Sequence, residues 1–442
     1  MHRSFRLLAS ALTRPFQPMN VELINTGSEL LLGRILNTHL QWLGRRLSDA
    51  GYQIARQVTV PDTSEAIESA IRESLARADI VVTTGGLGPT GDDLTRERVA
   101  KLLGRKLLPN AEAAARIRHF FESRGRPTPP RTAVESLVPD GAIVLHNDHG
   151  TAPGLALKVE PNPFRTSGKS ALLILLPGPP RELHPMFREQ VLPMLMRELP
   201  PEMPGQSLTL RTTGIGESNL EDLLAKPLGN LISQGLELGF CAKIAEVEVR
   251  FSGRGAAGME LIAAAEAISL PLLGDAVFGK GDELMEAAVI REAVRSGSTV
   301  AIAESCTGGF IAHRLTNVPG ASAVLLAGVV SYANAAKQDF LGVSGETLSE
   351  FGAVSEPVVR QMADGVRHAA KADFGLAVTG IAGPGGGSPA KPVGTAFVAL
   401  AGPDGVQVVR QLNPFDRETF KFATSQQALD LLRRRLRQLP SR

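Results

Sequence analysis

The stretch TVAIAESCTGG, residues 299–309, decides the fold of the carboxyl-terminal part of this chain. Its apolar run at 299–303 predicts a buried strand, and the residues from Phe310 onward have helical periodicity. The polar turn between them therefore lies at the carboxyl end of a strand, where open α/β sheets place their sites. This order of elements predicts an α/β domain with a site around Ser305.

The polar turn itself has two interpretations. Gly308 and Gly309 let backbone N–H groups approach an oxyanion or phosphate, and Ser305 is well placed to act as a nucleophile. Alternatively, Ser305 or Thr307 only caps the following helix, which is the commoner use of such residues. Cys306 is a rival nucleophile, although a lone cysteine after a strand is more often a small buried hydrophobe.

Two later strand ends carry complementary residue types. The apolar strand at 325–332 ends at Tyr332, and Lys337 follows about one helical turn beyond. A third strand at 374–378 runs into the glycine loop TGIAGPGGG, residues 379–387. Acyl transfer needs a nucleophile, a base and oxyanion donors, which Ser305, Lys337 with Tyr332, and the amides of the turn can supply. Taken singly, Tyr332 is ordinary strand packing and Lys337 a solvated charge.

The amino-terminal part repeats a strand, a turn and an amphipathic helix three times within residues 20–104. Such repeats predict a parallel, doubly wound sheet with right-handed crossovers. One of its turns is glycine-rich, and its two aspartates can hold a divalent cation on a phosphate or only complement a helix dipole. The residues of this first-domain site are Thr84, Gly85, Gly86, Gly88 and Thr90, with Asp92 and Asp93 as metal ligands.

Between the two parts, residues 200–204 have the composition of a linker, and a small α+β module follows. Its Gly214-Ile215-Gly216 is not the GxxG clamp of an RNA-binding KH module, and no basic patch accompanies it, so we expect a spacer. The predicted segments are 1–18 (disordered leader or mis-assigned start), 19–199 (first α/β domain), 200–281 (α+β module) and 282–442 (second α/β domain).

Composition narrows the function classes. Lys+Arg 47 against Asp+Glu 45 leaves a net charge of +2, which does not call for nucleic acid or an acidic membrane as partner. Two cysteines far apart in sequence, Cys241 and Cys306, fit a reducing cytoplasm. Beyond the arginine-containing leader, no uninterrupted apolar stretch reaches the roughly 18 residues that span a bilayer.

Several motifs resemble the carboxyl-terminal domain of the competence/damage-inducible protein A (CinA) family. They are AESCTGG, GVVSYANAAKQDFLGV, VSEPVVRQMADG and TGIAGPGGG with KPVGT. A second set resembles the amino-terminal domain of the family, which is similar in fold to molybdopterin-binding proteins. That set is TGSELLLGRILNTHLQWLGRRL, TTGGLGPTGDDLTRE, NDHGTAPG and LPGPPREL. The resemblance implies two three-layer α/β domains joined by a KH-like α+β module.

The resemblance implies a nicotinamide mononucleotide amidohydrolase of pyridine nucleotide salvage, which releases nicotinic acid mononucleotide and ammonia without a cofactor. On the family pattern, Ser305 is the nucleophile, and Tyr332 and Lys337 are its activating partners. Arg417 contacts the phosphate or the ring. The other substrate-binding positions are Thr307, Gly308, Gly309, Asn334, Thr379, Gly380, Gly383, Gly385 and Gly386.

The resemblance also implies a metal-dependent ADP-ribose pyrophosphatase activity in the first domain, and a homodimer. Ser28 stands where molybdopterin-type proteins usually have Asp, which argues against molybdopterin chemistry. Pro180 and Leu183 vary a loop that more often has valine and methionine nearby, so the activity of the first domain stays open. The alternative outside catalysis is a molybdopterin-binding-like or recombination-associated accessory protein.

Overall fold

The computed structural model of the chain describes residues 19–201 and 205–442. The predicted leader, 1–18, and part of the predicted linker lie outside the described residues. The chain divides into two compact units. The first comprises the described residues up to Gln206 together with Arg254–Ala257, and the second comprises 207–253 and 258–442. The α+β module and the carboxyl-terminal α/β domain therefore belong to one unit.

The first unit contains a mixed six-stranded sheet of order β2-β1-β3-β8-β7-β6. Strands β2, β1, β3 and β8 are parallel, whereas β7 and β6 are antiparallel to their neighbours. The parallel pairing predicted from the repeats of residues 20–104 is confirmed for β1, β2 and β3. Strands β6 and β7 lie beyond those repeats, and the connections of β7 are too short for crossover helices. The strands are β1 (Asn20–Thr26), β2 (Gln53–Val60), β3 (Ile80–Thr84), β4 (Leu107–Pro109), β5 (Leu137–Pro139), β6 (Ile143–Leu145), β7 (Gly154–Val159) and β8 (Ala171–Leu176).

Helices cover both faces of this sheet, and each face has its own hydrophobic core. The last helical segment of this domain contains a π-helical turn, Phe187–Val191, with Pro185 inside the helix before it. The helices are α1 (Ser28–Leu31), α2 (His39–Asp49), α3 (Ser64–Leu75), α4 (Thr95–Leu102), α5 (Ala111–Glu122), α6 (Pro180–Met186) and α7 (Leu192–Glu198).

The α+β module is a four-stranded sheet of order β10-β11-β9-β12, covered by two helices. Leu220, Leu224 and Leu228 lie at helical spacing on one helix and are fully buried, because they pack against Val249 and Phe251 of the sheet. The elements are β9 (Gly205–Thr212), α8 (Glu217–Ser233), β10 (Glu237–Lys243), β11 (Glu246–Arg254), α9 (Gly255–Leu273) and β12 (Val277–Lys280).

Among the described residues, one helix has the length and composition that could cross a membrane. It covers Gly255–Ala276, and its most apolar 18-residue stretch has a mean hydropathy of 1.5. Of that stretch, 22% is buried. The buried side chains Ile262, Ala265 and Leu273 belong to the hydrophobic core of the α+β module. This packing accounts for part of the apolar composition of α9.

The carboxyl-terminal domain is a five-stranded sheet of order β14-β13-β15-β16-β17. Strands β14, β13 and β15 are parallel, so their carboxyl ends lie at one edge, and β16 and β17 are antiparallel additions. The strands are β13 (Val300–Glu304), β14 (Leu325–Val330), β15 (Phe374–Gly380), β16 (Thr395–Gly402) and β17 (Gly405–Leu412). The helices are α10 (Met285–Ser296), α11 (Phe310–Thr316), α12 (Asn334–Leu341), α13 (Gly345–Phe351), α14 (Glu356–Ala370) and α15 (Arg417–Arg437).

Strand β13 is buried on both faces. Val300 and Ile302 pack with α10 and α15 on one side, while Ala301 and Ala303 pack with α14 on the other. This alternation follows from the two-residue period of a strand. The central strand therefore delivers the polar turn to the edge of a rigid three-layer sandwich.

Candidate active site

The turn that follows β13 is fixed to both neighbouring strands. The Ser305 amide donates to the Val378 carbonyl of β15 at 3.1 Å, and the Ser331 amide donates to the Glu304 carbonyl at 2.8 Å. The three strand ends singled out in the sequence therefore meet, as predicted. Ser305 is half-buried at this junction.

Lys337 is the side chain that the fold brings to Ser305. Its Nζ lies 3.2 Å from Ser305 Oγ, 2.6 Å from the Ser331 carbonyl and 3.4 Å from the Tyr332 carbonyl. A neutral amine has two N–H donors and one lone pair, so two carbonyls and one hydroxyl match its hydrogen-bonding capacity. The arrangement can therefore take the proton of Ser305.

The environment of Lys337 favours that neutral form. The residue is 1% exposed, and desolvation lowers the pKa of its amine from the usual 10.5. A negatively charged Cys306 would oppose this shift, but burial raises the pKa of the Cys306 thiol to about 12, so the thiol carries no charge near neutral pH. The net effect is a lowered pKa for the Lys337 amine.

Cys306 does not compete as a nucleophile. Its side chain belongs to the hydrophobic core on the α10 and α15 side of the sheet. With the pKa raised to about 12, almost no thiolate forms near neutral pH, and the thiolate is the reactive form. The buried-hydrophobe interpretation of Cys306 is the one the structure supports.

Glu304 changes the expected role of the backbone amides. Its buried carboxylate accepts hydrogen bonds from the amides of Gly309 (3.0 Å), Ile311 (3.1 Å) and Ala312 (2.9 Å). The Gly308 amide donates to the Ser305 carbonyl at 3.2 Å. The amides of Gly308 and Gly309 are therefore occupied, and the expectation that they serve an oxyanion is corrected, because an acidic side chain caps the helix first.

Thr307 supplies a different donor. Its side chain is 0% exposed, and its Oγ1 has no hydrogen-bond partner among the described residues. Neither Ser305 nor Thr307 makes a side-chain capping bond to α11. A buried hydroxyl without a partner costs stability unless a ligand completes it.

The phenol of Tyr332 lies against Arg417 and not against Ser305. Arg417 Nη2 donates to Tyr332 Oη at 2.8 Å, and its Nη1 donates to the Gly383 carbonyl at 3.0 Å. The structure therefore joins Arg417, Tyr332 and the glycine loop, while only the main-chain carbonyl of Tyr332 reaches Lys337. The predicted activating role of the Tyr332 hydroxyl has no direct contact with Ser305 to support it.

The remaining residues predicted for the pocket differ in burial and in what they contact. Thr379 is buried, and its hydroxyl donates to the Ala353 carbonyl at 2.9 Å. A side chain at Gly380 would lie 2.8 Å from the Thr395 carbonyl, so close strand packing requires glycine there. Gly383 and Gly386 have positive φ values of 76° and 86°. Asn334 and Gly385 are exposed at the same edge.

Lys421 lies beside the turn of β13, and the sequence analysis did not single it out. Its Nζ lies 3.9 Å from the position that a Cβ atom on Gly308 would occupy. The signal was available, because Lys421 follows Arg417 by four residues on the same helix, and such residues share a face. What the sequence could not show is that α15 passes beside the turn of β13.

In the first unit, the predicted glycine loop folds onto Thr26 and Asp93. Gly85 has a φ of 98°, and a Cβ there would lie 2.7 Å from the Thr26 carbonyl. A Cβ on Gly88 would lie 2.6 Å from Asp93 Oδ2. Thr84 Oγ1, buried beneath the loop, accepts from Asn25 Nδ2 at 2.7 Å.

Asp92 and Asp93 are the predicted metal ligands. The Thr90 amide donates to Asp93 Oδ2 at 3.0 Å, and the Thr90 hydroxyl donates to the same oxygen. Residues 19–201 and 205–442 contain no group of three or more metal-ligating side chains. The two aspartates thus fit only a cation that completes its shell with phosphate oxygens and water, as Mg²⁺ does.

A buried polar group behind this loop was not foreseen. Arg96 donates to the carbonyls of Val134 and Leu87, and the Thr151 hydroxyl donates to Glu135 Oε1 at 2.9 Å. Within the described part of the chain, Arg96 Nε and Glu135 Oε2 lack partners. Neither residue lies in the glycine-rich motif, so no local pattern could have identified them.

Three family models match successive segments of the chain, in the order of the domains described above. Family models match residues 22–197 (probable molybdopterin binding domain), 207–279 (damage-inducible protein CinA KH domain) and 282–436 (CinA C-terminal domain). A CinA-like protein of Akkermansia muciniphila is 44% identical over 412 residues, 93% of this chain and 96% of its own length.

A second relative agrees with this assignment. A putative competence-damage inducible protein of Moorella thermoacetica is 43% identical over 427 residues, 95% of this chain and 99% of its own length. Among solved structures, the chain is similar to the crystal structure of competence/damage inducible protein CihA from Agrobacterium tumefaciens, with 44% sequence identity. The match covers 35% of this chain and 94% of that chain, with a TM-score of 0.33. The chain belongs to the CinA family, with the molybdopterin-binding-like, KH and carboxyl-terminal domains in one polypeptide.

Proposed function

We propose that the carboxyl-terminal domain hydrolyses the carboxamide of nicotinamide mononucleotide to nicotinic acid mononucleotide and ammonia. The observation that carries this proposal is the 3.2 Å contact between Ser305 Oγ and the buried Lys337 Nζ at the carboxyl edge of a parallel sheet. The resemblance to the CinA family supplies the substrate class. The free thiols of Cys241 and Cys306 fit the reducing cytoplasm as the place of the reaction.

In the first half-reaction, Ser305 Oγ attacks the carboxamide carbon while Lys337 takes the hydroxyl proton. Thr307 Oγ1 donates to the oxyanion of the tetrahedral intermediate, since it is the buried hydroxyl of the turn that lacks a partner. The carbon–nitrogen bond then breaks, and Lys337 returns its proton to the leaving nitrogen, which departs as ammonia. An ester links Ser305 to the nicotinoyl group.

In the second half-reaction, water attacks the ester carbon while Lys337 accepts a proton from the water. The ester bond breaks, and the proton passes to Ser305 Oγ, which restores the enzyme and releases the carboxylate product. The same amine therefore acts first as a base and then as an acid in each half. No metal takes part in these steps.

Ammonia release from nicotinamide mononucleotide tests this proposal. We expect Ser305→Ala to remove the activity and Thr307→Val to lower kcat by about 100-fold, as for loss of one oxyanion donor. Cys306→Ala is the matched control, and we expect it to keep most of the activity. Unchanged turnover in Ser305→Ala would rule out the serine mechanism.

We propose as a second activity the metal-dependent hydrolysis of ADP-ribose in the first domain. The favouring observation is the set of buried polar atoms without partners beside the glycine loop: Thr95 Oγ1, Arg96 Nε and Glu135 Oε2. A divalent cation on Asp92 and Asp93 would supply charge neutralisation for the pyrophosphate. The glycine loop would bind and orient the phosphates.

A chelator separates the two activities. We expect it to abolish phosphate-bond cleavage of ADP-ribose and to leave ammonia release unchanged. Asp92→Ala and Asp93→Ala should have the same selective effect as the chelator. If neither nucleotide is turned over, the accessory-protein alternative becomes the better description.

A further inference from the structure

Lys421 is a cation beside the nucleophile turn that the proposed reaction does not use. Its Nζ lies 3.9 Å from the Cβ position of Gly308, and the Gly308 amide is bonded to the Ser305 carbonyl. Among the described residues, the Lys421 amine forms no hydrogen bond or ion pair. The charge of Lys421 is therefore available to an anionic ligand that binds at the turn.

A second cation lies on the same helix face. Arg417 precedes Lys421 by four residues on α15, and like charges at this spacing repel each other. Two of the acidic groups nearby are committed elsewhere, and the third, Glu418, is an exposed residue in the first turn of α15. Glu304 caps α11 with three amides, and Asp416 accepts from the amides of Glu418 and Thr419 at the start of α15. One exposed carboxylate against two cations leaves a net positive charge, which attracts an anion from outside the chain.

Arg417 is fixed by neutral partners. Its guanidinium donates to the Tyr332 hydroxyl and to the Gly383 carbonyl. These acceptors carry no charge, so they hold Arg417 in place without neutralising it.

We propose that Lys421, together with Arg417, holds the 5′-phosphate of the substrate, and that Lys421 sets the preference for phosphorylated nucleotides over nucleosides. This inference rests on the proposed amidase function and adds a specificity residue to it. A phosphate dianion neutralises both cations, and charge-assisted bonds to phosphate are the stronger class of hydrogen bond. A nucleoside without the phosphate would leave the pair uncompensated.

The test compares nicotinamide mononucleotide with nicotinamide riboside, which lacks the phosphate. In Lys421→Met, we expect kcat/KM for the mononucleotide to fall by about 10- to 100-fold, mainly through KM. The same ratio for the riboside should fall less than about 2-fold, because the lost bond is to the absent phosphate. Lys421→Arg should recover most of the loss, since the charge remains.

Lys226→Met is the matched control, because Lys226 is an exposed lysine on α8 of the same unit, and it should behave as the parent. An equal loss for both substrates, or no loss for either, would overturn the phosphate role. If the parent releases no ammonia at all, the amidase proposal fails, and calorimetry with ribose 5-phosphate tests the site alone. Binding that weakens in Lys421→Met supports the site, and absent or equal binding overturns it.

Discussion

Lys337 shows how one buried residue gains its chemistry from its neighbours. Its amine contacts two main-chain carbonyls and one hydroxyl, and the described residues provide it with no carboxylate partner. Burial without a counter-charge disfavours the ammonium form. The residue is therefore prepared to be a base at a pH where an exposed lysine is not.

The first prediction concerns the pH dependence of ammonia release. The pKa of Lys337 is lowered by desolvation, so the neutral amine persists below 10.5 and is lost as the pH falls through the lowered pKa. We expect kcat/KM to rise with pH and to level off below pH 10.5. Initial rates measured over a pH series check this, with Lys337→Met as the variant that loses about 100- to 10,000-fold. A flat profile in the parent would contradict a lysine base.

The second prediction concerns Glu135 and stability. Burial raises the pKa of this carboxyl from 4.5 to about 7, against the opposing effects of Thr151 and Arg96. The folded state therefore holds the proton more tightly than the unfolded state, and stability falls as the pH rises from 4.5 to about 7. Urea unfolding in the presence of a chelator measures this slope. Glu135→Gln should show a flatter dependence over the same range, and identical slopes would contradict the assignment.

At the scale of elements, the position of α12 depends on a glycine in α14. A Cβ atom at Gly365 would lie 1.8 Å from the Leu341 carbonyl at the end of α12. Helix α12 also carries Lys337, so the close approach of these two helices places the base. A mid-helix glycine lowers helix propensity, and here backbone contact explains its presence.

The third prediction is that Gly365→Ala damages both folding and catalysis. We expect a loss of about 3 kcal/mol in unfolding free energy, at the upper end for overpacking, and a lower kcat as α12 moves. Gly229→Ala in α8 is the matched control, because nothing lies within 4 Å of its Cβ position. That change should stabilise the protein by about 0.5–1 kcal/mol. Thermal melts and ammonia assays of both variants decide the matter.

At the scale of the whole molecule, the first unit exposes an apolar segment. Leu32 is 67% exposed and Leu36 is 82% exposed, and Leu31 and Ile35 beside them are also exposed. Contiguous exposed apolar side chains mark interaction sites more often than isolated ones do. Because we expect a homodimer, we predict that a second copy of the chain binds this segment.

The fourth prediction follows from this segment. Light scattering should give a mass of about twice the 46.9 kDa of one chain. Combining Leu32→Glu with Leu36→Glu should produce monomers, because two carboxylates would be buried at the interface. Leu108→Glu, at an exposed leucine elsewhere in the same unit, is the control and should remain dimeric. A monomeric parent, or a dimeric double variant, would contradict the role of the segment.

The sequence predicted well wherever the determining pattern is local. The apolar runs identified β13, β14 and β15, and glycine-rich turns marked their ends, because periodicity and turn chemistry act over a few residues. It failed where long-range packing decides. No local pattern identified the buried Arg96 and Glu135 behind the glycine loop, because separate segments of the chain bring them there.

For this protein, the sequence by itself determined the order of domains, the family, and which residue types stand at the strand ends. Only the tertiary structure decided which of these groups are already occupied. Glu304 takes the Gly309 amide expected for an oxyanion, and Arg417 takes the Tyr332 phenol. Lys421, 113 residues further along the chain than Gly308, reaches the turn from α15. The physical reason is that each donor or acceptor group can form only a few hydrogen bonds. The packing of distant segments decides which partner each group finds.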